Sequence, residues 1–184
     1  MSRVSQPTLE ADEHLVAELH RLGISHLARL KIDPEHKPMP PAALIAALAG
    51  HSAARIQGAL IPLYLRRPDL QPYLVQALER LDRPAAFNLQ LYYQAAVYLQ
   101  RELAPVLVSK LDRYSVLPDL FSAALGLPTA DTIPAGHLTA QPALNALGEQ
   151  HQRHSDRHYN WAGSYRQHIP WLIKHLGPDH TSSD

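Results

Sequence analysis

The chain has 184 residues, of which 46% are hydrophobic and 18% are charged, and its 17 Lys and Arg side chains balance its 17 Asp and Glu side chains. A neutral chain of this length suits one domain and has no general electrostatic attraction to nucleic acid or anionic membranes. The sequence has no cysteine, which excludes disulfides and thiolate sites. It contains neither a membrane-length apolar run nor the apolar core of a secretory signal, so we expect a cytoplasmic protein.

The composition favours helices over strands. Leu and Ala dominate, Phe occurs only twice, and sixteen prolines are spread along the chain, where each should end or interrupt a helix. No stretch alternates between apolar and polar residues for long enough to predict a strand. We therefore predict an all-α protein, a bundle or a short HEAT-like stack of roughly seven to nine short helices.

Residues 8–22 form the first predicted helix, because Thr8 can cap it, acidic residues fill its first turn and Gly23 follows its end. Leucine and valine side chains recur along it at helical spacing and give it one apolar face. The sequence "KIDPEHKPMPP", residues 31–41, contains prolines that predict an extended connector after this helix.

Two helices are predicted between residues 41 and 68. Pro41 lies near the beginning of the first, and Gly50 follows its end. Ser52 can cap the second, whose C-terminal half is apolar nearly all round and should therefore be buried in the centre of the fold. Pro62 should kink or split this second helix.

The clearest amphipathic pattern covers residues 69–82, where apolar side chains recur at i, i+3 and i+4 for three turns. The longest predicted helix covers residues 83–103, and residues 105–113 can extend it after a kink at Pro105. Two adjacent apolar stripes run along this long helix. A stripe of that width predicts neighbours on two sides.

The C-terminal part is predicted to contain a short helix within residues 117–128 and further helices after a second connector. We divide the chain into a main helical domain, residues 1–128, and a Pro/Thr-rich connector, residues 129–142. The remaining residues, 143–184, are predicted to form a C-terminal helical segment that packs on the main domain.

The sequence "HQRHSDRHYNWAGSY", residues 151–165, raises the question of a metal site. If residues 143–158 are helical, His151, His154 and His158 lie on one face, and neutral imidazoles are good ligands for zinc or copper. However, two turns of helix rise roughly 10 Å, so one ion reaches at most two of the three rings. The helical H-E-x-x-H signature is also absent. We therefore expect no metal or other cofactor, with the three histidines as an alternative ligand set.

The same sequence resembles the R-x4-6-H pattern of HEPN-type ribonucleases, which are small helical proteins, with Arg153 and His158 at the two positions. The resemblance implies that His158 serves as acid or base while Arg153 stabilises phosphate charge. Two residues five apart on a regular helix point about 140° away from each other, so this pair needs a distorted helix in order to converge. A ribonuclease is therefore an alternative function.

A third interpretation of this stretch is structural, and we favour it. Cationic side chains near a helix C-terminus interact favourably with the helix dipole, and Asn160 can cap the next helix. The aromatic residues of this stretch then form a wedge between the C-terminal helix and the bundle; they are Tyr159, Trp161 and Tyr165. Their buried polar atoms need partners, which Arg153 or His154 can supply. We predict a protein-interaction surface formed by the middle helices and this wedge. Its residues are Tyr92, Tyr93, Tyr159, Trp161 and Tyr165.

Four blocks over roughly residues 42–176 carry a resemblance to a family. They are "RIQGALIPLYLRRPDL", "NLQLYYQAAVYLQREL", "LPDLFSAALGLP" and "NWAGSYRQHIPWLIKHL". In this order they resemble uncharacterised helical bacterial proteins that are often encoded beside a small nucleotidyltransferase-like protein. The resemblance implies no catalytic residues. It does imply association, because such gene pairs often make a complex, sometimes of toxin–antitoxin type, and HEPN proteins also pair with minimal nucleotidyltransferases.

The sequence contains many apolar helix faces. It lacks a Gly-rich phosphate loop, a G-x-S-x-G elbow and a pair of carboxylates at a separation that would indicate catalysis. We therefore predict a non-enzymatic protein-interaction module, the partner or antitoxin-like subunit of a nucleotidyltransferase. A nucleic-acid-binding regulator that uses the mildly basic residues 51–113 is a further alternative, which the neutral overall charge disfavours. We expect another protein as the partner, and neither a membrane nor nucleic acid.

Overall fold

The structure is a computed structural model, and it describes residues 6–25, 38–156 and 158–176. These residues form nine α-helices and two 3₁₀ segments and contain no strand, so the predicted all-α class is confirmed. The helices are α1 (Gln6–Arg21), α2 (Pro41–Ala49), α3 (Ala54–Gln57), α4 (Leu60–Arg66), α5 (Leu74–Leu78), α6 (Arg83–Lys110), α7 (Gln141–Arg153), α8 (Trp161–Arg166) and α9 (Ile169–His175). The 3₁₀ segments are Pro68–Tyr73 and Ala130–Thr132.

Helix α1 ends as predicted, at a glycine. Gly23 has a φ of +78°, and the N–H groups of Gly23 and Ile24 donate to carbonyls of the last turn of α1 at 2.9 and 2.8 Å. This Schellman arrangement satisfies the terminal carbonyls and requires the left-handed backbone that glycine adopts without strain. The side chain of the predicted cap, Thr8, and most of the predicted connector at 31–41 lie outside the described residues.

Helix α6 is the centre of the fold and contacts α2, α4 and α7. The side chain of Asp82 caps it by accepting a hydrogen bond from the Ala85 N–H at 2.9 Å. The helix continues through Pro105 to Lys110, so the predicted extension is confirmed. Its buried residues begin at Leu89 and lie on more than one face, which agrees with the predicted need for neighbours on two sides.

The predicted helix before Pro68 is divided into α3 and α4. The division lies at Gly58 and Ala59 rather than at Pro62, which falls in the first turn of α4, where the missing N–H breaks no hydrogen bond. The prediction that Ser52 caps this segment is wrong, since Ala53 precedes α3 without a side-chain cap. The prediction of a buried central helix is confirmed, because every side chain from Leu60 to Leu65 is buried.

The amphipathic pattern at residues 69–82 does not form one α-helix. It is a 3₁₀ segment followed by the short helix α5, because Pro72 has no N–H to donate and disfavours α backbone in the residue before it. The predicted apolar face is confirmed in part: Leu70, Leu74 and Ala77 are buried in the core, whereas Tyr73 is 37% exposed.

The prediction of a short helix within residues 117–128 is wrong, and side chains of α6 give the reason. The Gln100 amide donates to the Ser115 carbonyl at 2.9 Å and accepts from the Leu117 N–H at 2.7 Å. The Tyr93 hydroxyl donates to the Pro118 carbonyl at 2.9 Å. These bonds hold the backbone at 115–118 against α6. Only one turn forms after them, in which the Leu125 N–H donates to the Phe121 carbonyl at 2.9 Å before the chain leaves at Gly126, whose φ is +65°.

The residues after the second connector share the core of the rest of the described chain, which extends without a break from Leu15 to Leu176. The predicted last helix is interrupted between α8 and α9, ahead of Pro170. Its predicted buried face is confirmed. The buried residues of this face are Trp161, Tyr165, Ile169, Leu172 and Leu176.

Candidate functional site

His151 points into the protein from the last turn of α7. Its side chain is buried, and its ring nitrogen Nδ1 lies 2.9 Å from the Tyr165 hydroxyl. The ring stacks on the indole of Trp161 with centroids 3.5 Å apart and planes 15° apart. The ring of Tyr92 packs at right angles to the His151 imidazole and also at right angles to the Tyr165 ring. This imidazole therefore belongs to an aromatic cluster that joins α6, α7 and α8.

The aromatic cluster keeps His151 neutral. Burial, and to a smaller extent the neighbouring His154, lower the pKa of His151 to about 4. Burial also raises the pKa of the Tyr165 hydroxyl well above its ordinary value, so that group stays protonated. A neutral imidazole bonded to a phenol and stacked on an indole thus holds three helices together, whereas the sequence predicted a cationic cluster that shields the end of a helix.

The expected helix over 143–158 ends at Arg153, so the three histidines do not share a helix face. His151 is buried, whereas His154 is exposed and its Nδ1 lies 3.0 Å from the Gln150 carbonyl. His158 is exposed and lies beyond the helix. In the ranges that the structure describes, no three His, Asp or Glu side chains are grouped to hold a metal ion.

The ribonuclease pair is separated by the same helix end. Arg153 is exposed and lies 3.9 Å from the Glu149 carboxylate, one turn earlier on α7. No hydrogen bond or ion pair links Arg153 to His158 in the described part of the chain. Both side chains are exposed, but no contact in the structure joins them into a site.

Four of the five aromatic residues predicted to form the interaction surface are not exposed. Tyr92, Tyr93, Trp161 and Tyr165 are buried in the core, because the wide apolar stripe of α6 and the wedge of α8 pack against each other. Tyr159 is 53% exposed and is the one member that reaches the surface. The wedge itself is present. However, the partner of the Tyr165 hydroxyl is His151 rather than the predicted Arg153 or His154.

A different surface carries exposed apolar side chains. Along the irregular segment that α6 holds in place, Leu117 is buried while Val116 and Leu120 are 53% and 44% exposed. Val108, near the end of α6, is also exposed. We call Val116 and Leu120, which both lie on the irregular segment, the apolar patch. No pattern in the sequence predicts this patch, because it depends on which residues of an irregular segment face outwards.

Sequence reasoning also missed a buried ion pair that ties α8 to α6. The Arg166 guanidinium donates to both Glu102 carboxylate oxygens at 2.6 and 2.8 Å. Burial alone would raise the pKa of Glu102, but the hydrogen bonds from Arg166 and from the Ala140 N–H at 2.8 Å outweigh it and hold this pKa below its ordinary value. The partners are 64 residues apart in the sequence, a distance at which no local pattern links them.

A cleft of about 170 Å³ opens between α3 and α8, and we call it the α3–α8 cleft. One wall is formed by α3 and the residue after it, and the opposite wall by the chain around α8. Tyr92 of α6 also lines it. The residues that matter for its chemistry are Arg55, Gly58, Tyr92, Tyr159, Ser164 and Gln167. Among the described residues, no acidic side chain lines this cleft.

Comparisons with known proteins give no further guide to this site. No protein-family model, no curated protein and no solved structure matches the chain. Among the described helices, none has both the length and the apolar character needed to cross a membrane.

Proposed function

We propose that this chain is a non-enzymatic helical module that binds another protein through the apolar patch. The observation that supports this proposal is the combination of exposed Val116 and Leu120 with a backbone that α6 fixes from behind. Exposed apolar side chains gain free energy when a partner covers them. A backbone that is already fixed loses little conformational entropy on binding, so more of that gain appears as affinity.

The proposed partner is a nucleotidyltransferase-like protein, with this chain as its companion or antitoxin-like subunit. This part of the proposal rests on the resemblance of residues 42–176 to proteins encoded beside such enzymes. The neutral net charge is compatible with a protein partner that is met through apolar contacts rather than through long-range attraction.

The test is affinity capture from the native host, read by quantitative mass spectrometry. Val116→Glu and Leu120→Glu together place charge in the patch, whereas Val75→Glu places the same charge on α5 at a side chain that is 60% exposed. We expect wild type and Val75→Glu to capture a nucleotidyltransferase-like protein and the patch variant to lose it at least tenfold. Equal capture by all three proteins, or capture of no such protein by wild type, would contradict the proposal.

A ribonuclease is the second candidate, because Arg153 and His158 are both exposed and therefore accessible to RNA. Its test compares RNA cleavage by wild type and His158→Ala, with His154→Ala as a control at another exposed histidine of the same stretch. Cleavage that only His158→Ala abolishes supports the activity. Equal cleavage by the three proteins, or none by any of them, removes it.

A further inference from the structure

The hydroxyl of Tyr92 makes no hydrogen bond in the part of the chain that the structure describes. Tyr92 is nevertheless only 2% exposed, and it lines the α3–α8 cleft. The hydroxyl oxygen itself is not sealed off from solvent, because it opens onto the cleft, where it can donate to a bound group. Burial, reinforced by the nearby Tyr159 hydroxyl, raises the pKa of Tyr92, which therefore remains a protonated donor.

The charge of the cleft comes from Arg55. This side chain is exposed and forms no ion pair within the described residues, and it carries the one formal charge among the groups that line the cleft. The other basic group nearby is neutral, since burial and then the Arg55 charge lower the pKa of His168 to about 4. The cleft therefore presents a positive charge and no negative one.

Gly58 leaves the cleft open at its side. A β-carbon there would lie 3.3 Å from the Ala54 carbonyl and 3.5 Å from Nε2 of His168, so a methyl group would fit with a small adjustment but would occupy part of the cleft. Tyr159 supplies an exposed aromatic ring on the opposite wall. A ring in this position offers a flat apolar surface.

We propose that the α3–α8 cleft binds a small oxyanion, a carboxylate or a phosphate, attached to a flat apolar group. The oxyanion pairs with Arg55 and takes the place of solvent at the Tyr92 hydroxyl, from which it accepts a hydrogen bond. The flat group packs on the ring of Tyr159. This site goes beyond the proposed protein-binding function and does not depend on it, because the apolar patch lies on other residues.

Calorimetric titration of the full chain with benzoate and with phenyl phosphate tests the site. Benzamide has the shape of benzoate without the charge, so we expect it to bind at least tenfold more weakly. Acetate and inorganic phosphate carry the charge without the ring, and we expect them to bind more weakly than their aromatic counterparts. Which aromatic anion binds more tightly identifies the oxyanion as a carboxylate or a phosphate.

Three variants locate the binding. Arg55→Gln should weaken the better anion about tenfold, whereas Arg153→Gln, which removes an exposed arginine elsewhere, should leave it unchanged. Gly58→Ala should weaken binding by filling space. Tyr92→Phe should weaken binding about fivefold without lowering the thermal midpoint, because the hydroxyl that it removes has no partner in the free protein.

Several results would overturn the proposal. They are the absence of binding by both aromatic anions, equal binding of benzamide, and equal effects of Arg55→Gln and Arg153→Gln. A Tyr92→Phe protein that binds as well as wild type, or that melts several degrees lower, would remove the role of the hydroxyl. A Gly58→Ala protein with unchanged binding would place the anion outside the cleft.

Discussion

Helix α6 holds its neighbours in two different ways. Against α4 it packs through apolar side chains, and Tyr64 meets Tyr93 edge to face in the middle of that contact. Against residues 115–140 it adds directed hydrogen bonds to apolar packing: the Gln100 amide donates to the Ser115 carbonyl, and the Glu102 carboxylate accepts from the Ala140 N–H. Apolar packing stabilises in proportion to buried area and joins regular helices, whereas directed bonds fix individual backbone groups. The directed bonds pair backbone groups of the second neighbour that regular secondary structure does not pair.

The largest expected effect lies in the apolar contact. Leu60→Ala removes a fully buried side chain of α4 and leaves a cavity, so we expect the free energy of unfolding to fall by about 3–5 kcal/mol. Urea denaturation measures this loss. Val75→Ala, at an exposed position of α5, should change it by less than about 0.5 kcal/mol. Losses of similar size in the two variants would show that the α4–α6 contact is not the main source of stability.

The ion pair between Glu102 and Arg166 should contribute nearly as much stability, but a second substitution should recover part of the loss. Glu102→Gln leaves the Arg166 guanidinium largely buried without its counter-charge, and we expect it to cost about 3–4 kcal/mol. Adding Arg166→Met removes that charge and should restore at least half of the loss. Urea denaturation of both proteins measures the effect. No recovery in the double variant would mean that Arg166 stabilises the protein through contacts other than Glu102.

The aromatic cluster predicts how stability depends on pH. The pKa of His151 is about 4 in the folded protein and about 6.5 in the unfolded chain, so the unfolded state binds more protons between these values. The free energy of unfolding should therefore fall as the pH drops from about 6.5 to about 4, by roughly 2–3 kcal/mol from this residue alone.

Urea denaturation across this pH range measures the slope. His151→Gln should reduce the slope by about half and leave the similar contribution of His168, since the pKa of His168 is also lowered to about 4 by burial and by Arg55. His158→Gln, at an exposed position, should leave the slope unchanged. A slope that both variants share with wild type would exclude His151 as its source.

The smallest expected effects come from removing the N-terminal caps of two helices, α6 and α8. Asp82→Ala removes the cap of α6, and Asn160→Ala removes the side chain that accepts from the Gly163 N–H at the beginning of α8. Each should cost about 1 kcal/mol. Hydrogen exchange should show the first loss spread over the core and the second confined to α8. Protection lost throughout the chain in both variants would mean that α8 does not open independently of α6.

Local patterns predicted the elements in which propensity and burial agree. Gly23 ends α1, the apolar run after Gly58 becomes the buried α4, and Asp82 is followed by the long α6. The same reasoning failed at 117–128, where leucine and alanine favour a helix but Gln100 and Tyr93 hold the backbone at 115–118 against α6 and only a single turn forms before Gly126. Tertiary hydrogen bonds outweighed local propensity there.

The candidate sites were harder to predict than the helices. The interpretation of the histidines required a helix that continues to residue 158, and its end at Arg153 turns His151 and His158 into unrelated positions. The α3–α8 cleft depends on Arg55 and Gln167, which lie more than one hundred residues apart and share no motif. Such a site is created by packing alone, so only the fold reveals it.

The contacts of Glu102 imply that the chain can be cut into two fragments that stay associated. It holds the N–H of Ala140 and the guanidinium of Arg166, while its own backbone carbonyl accepts from the Gly136 N–H. A protease cut at the exposed Pro134–Ala135 link, just before these bonds, would leave both fragments attached through α6. The two pieces would form a split protein that reassembles when they are made separately, and each terminus at the cut would accept a fused reporter.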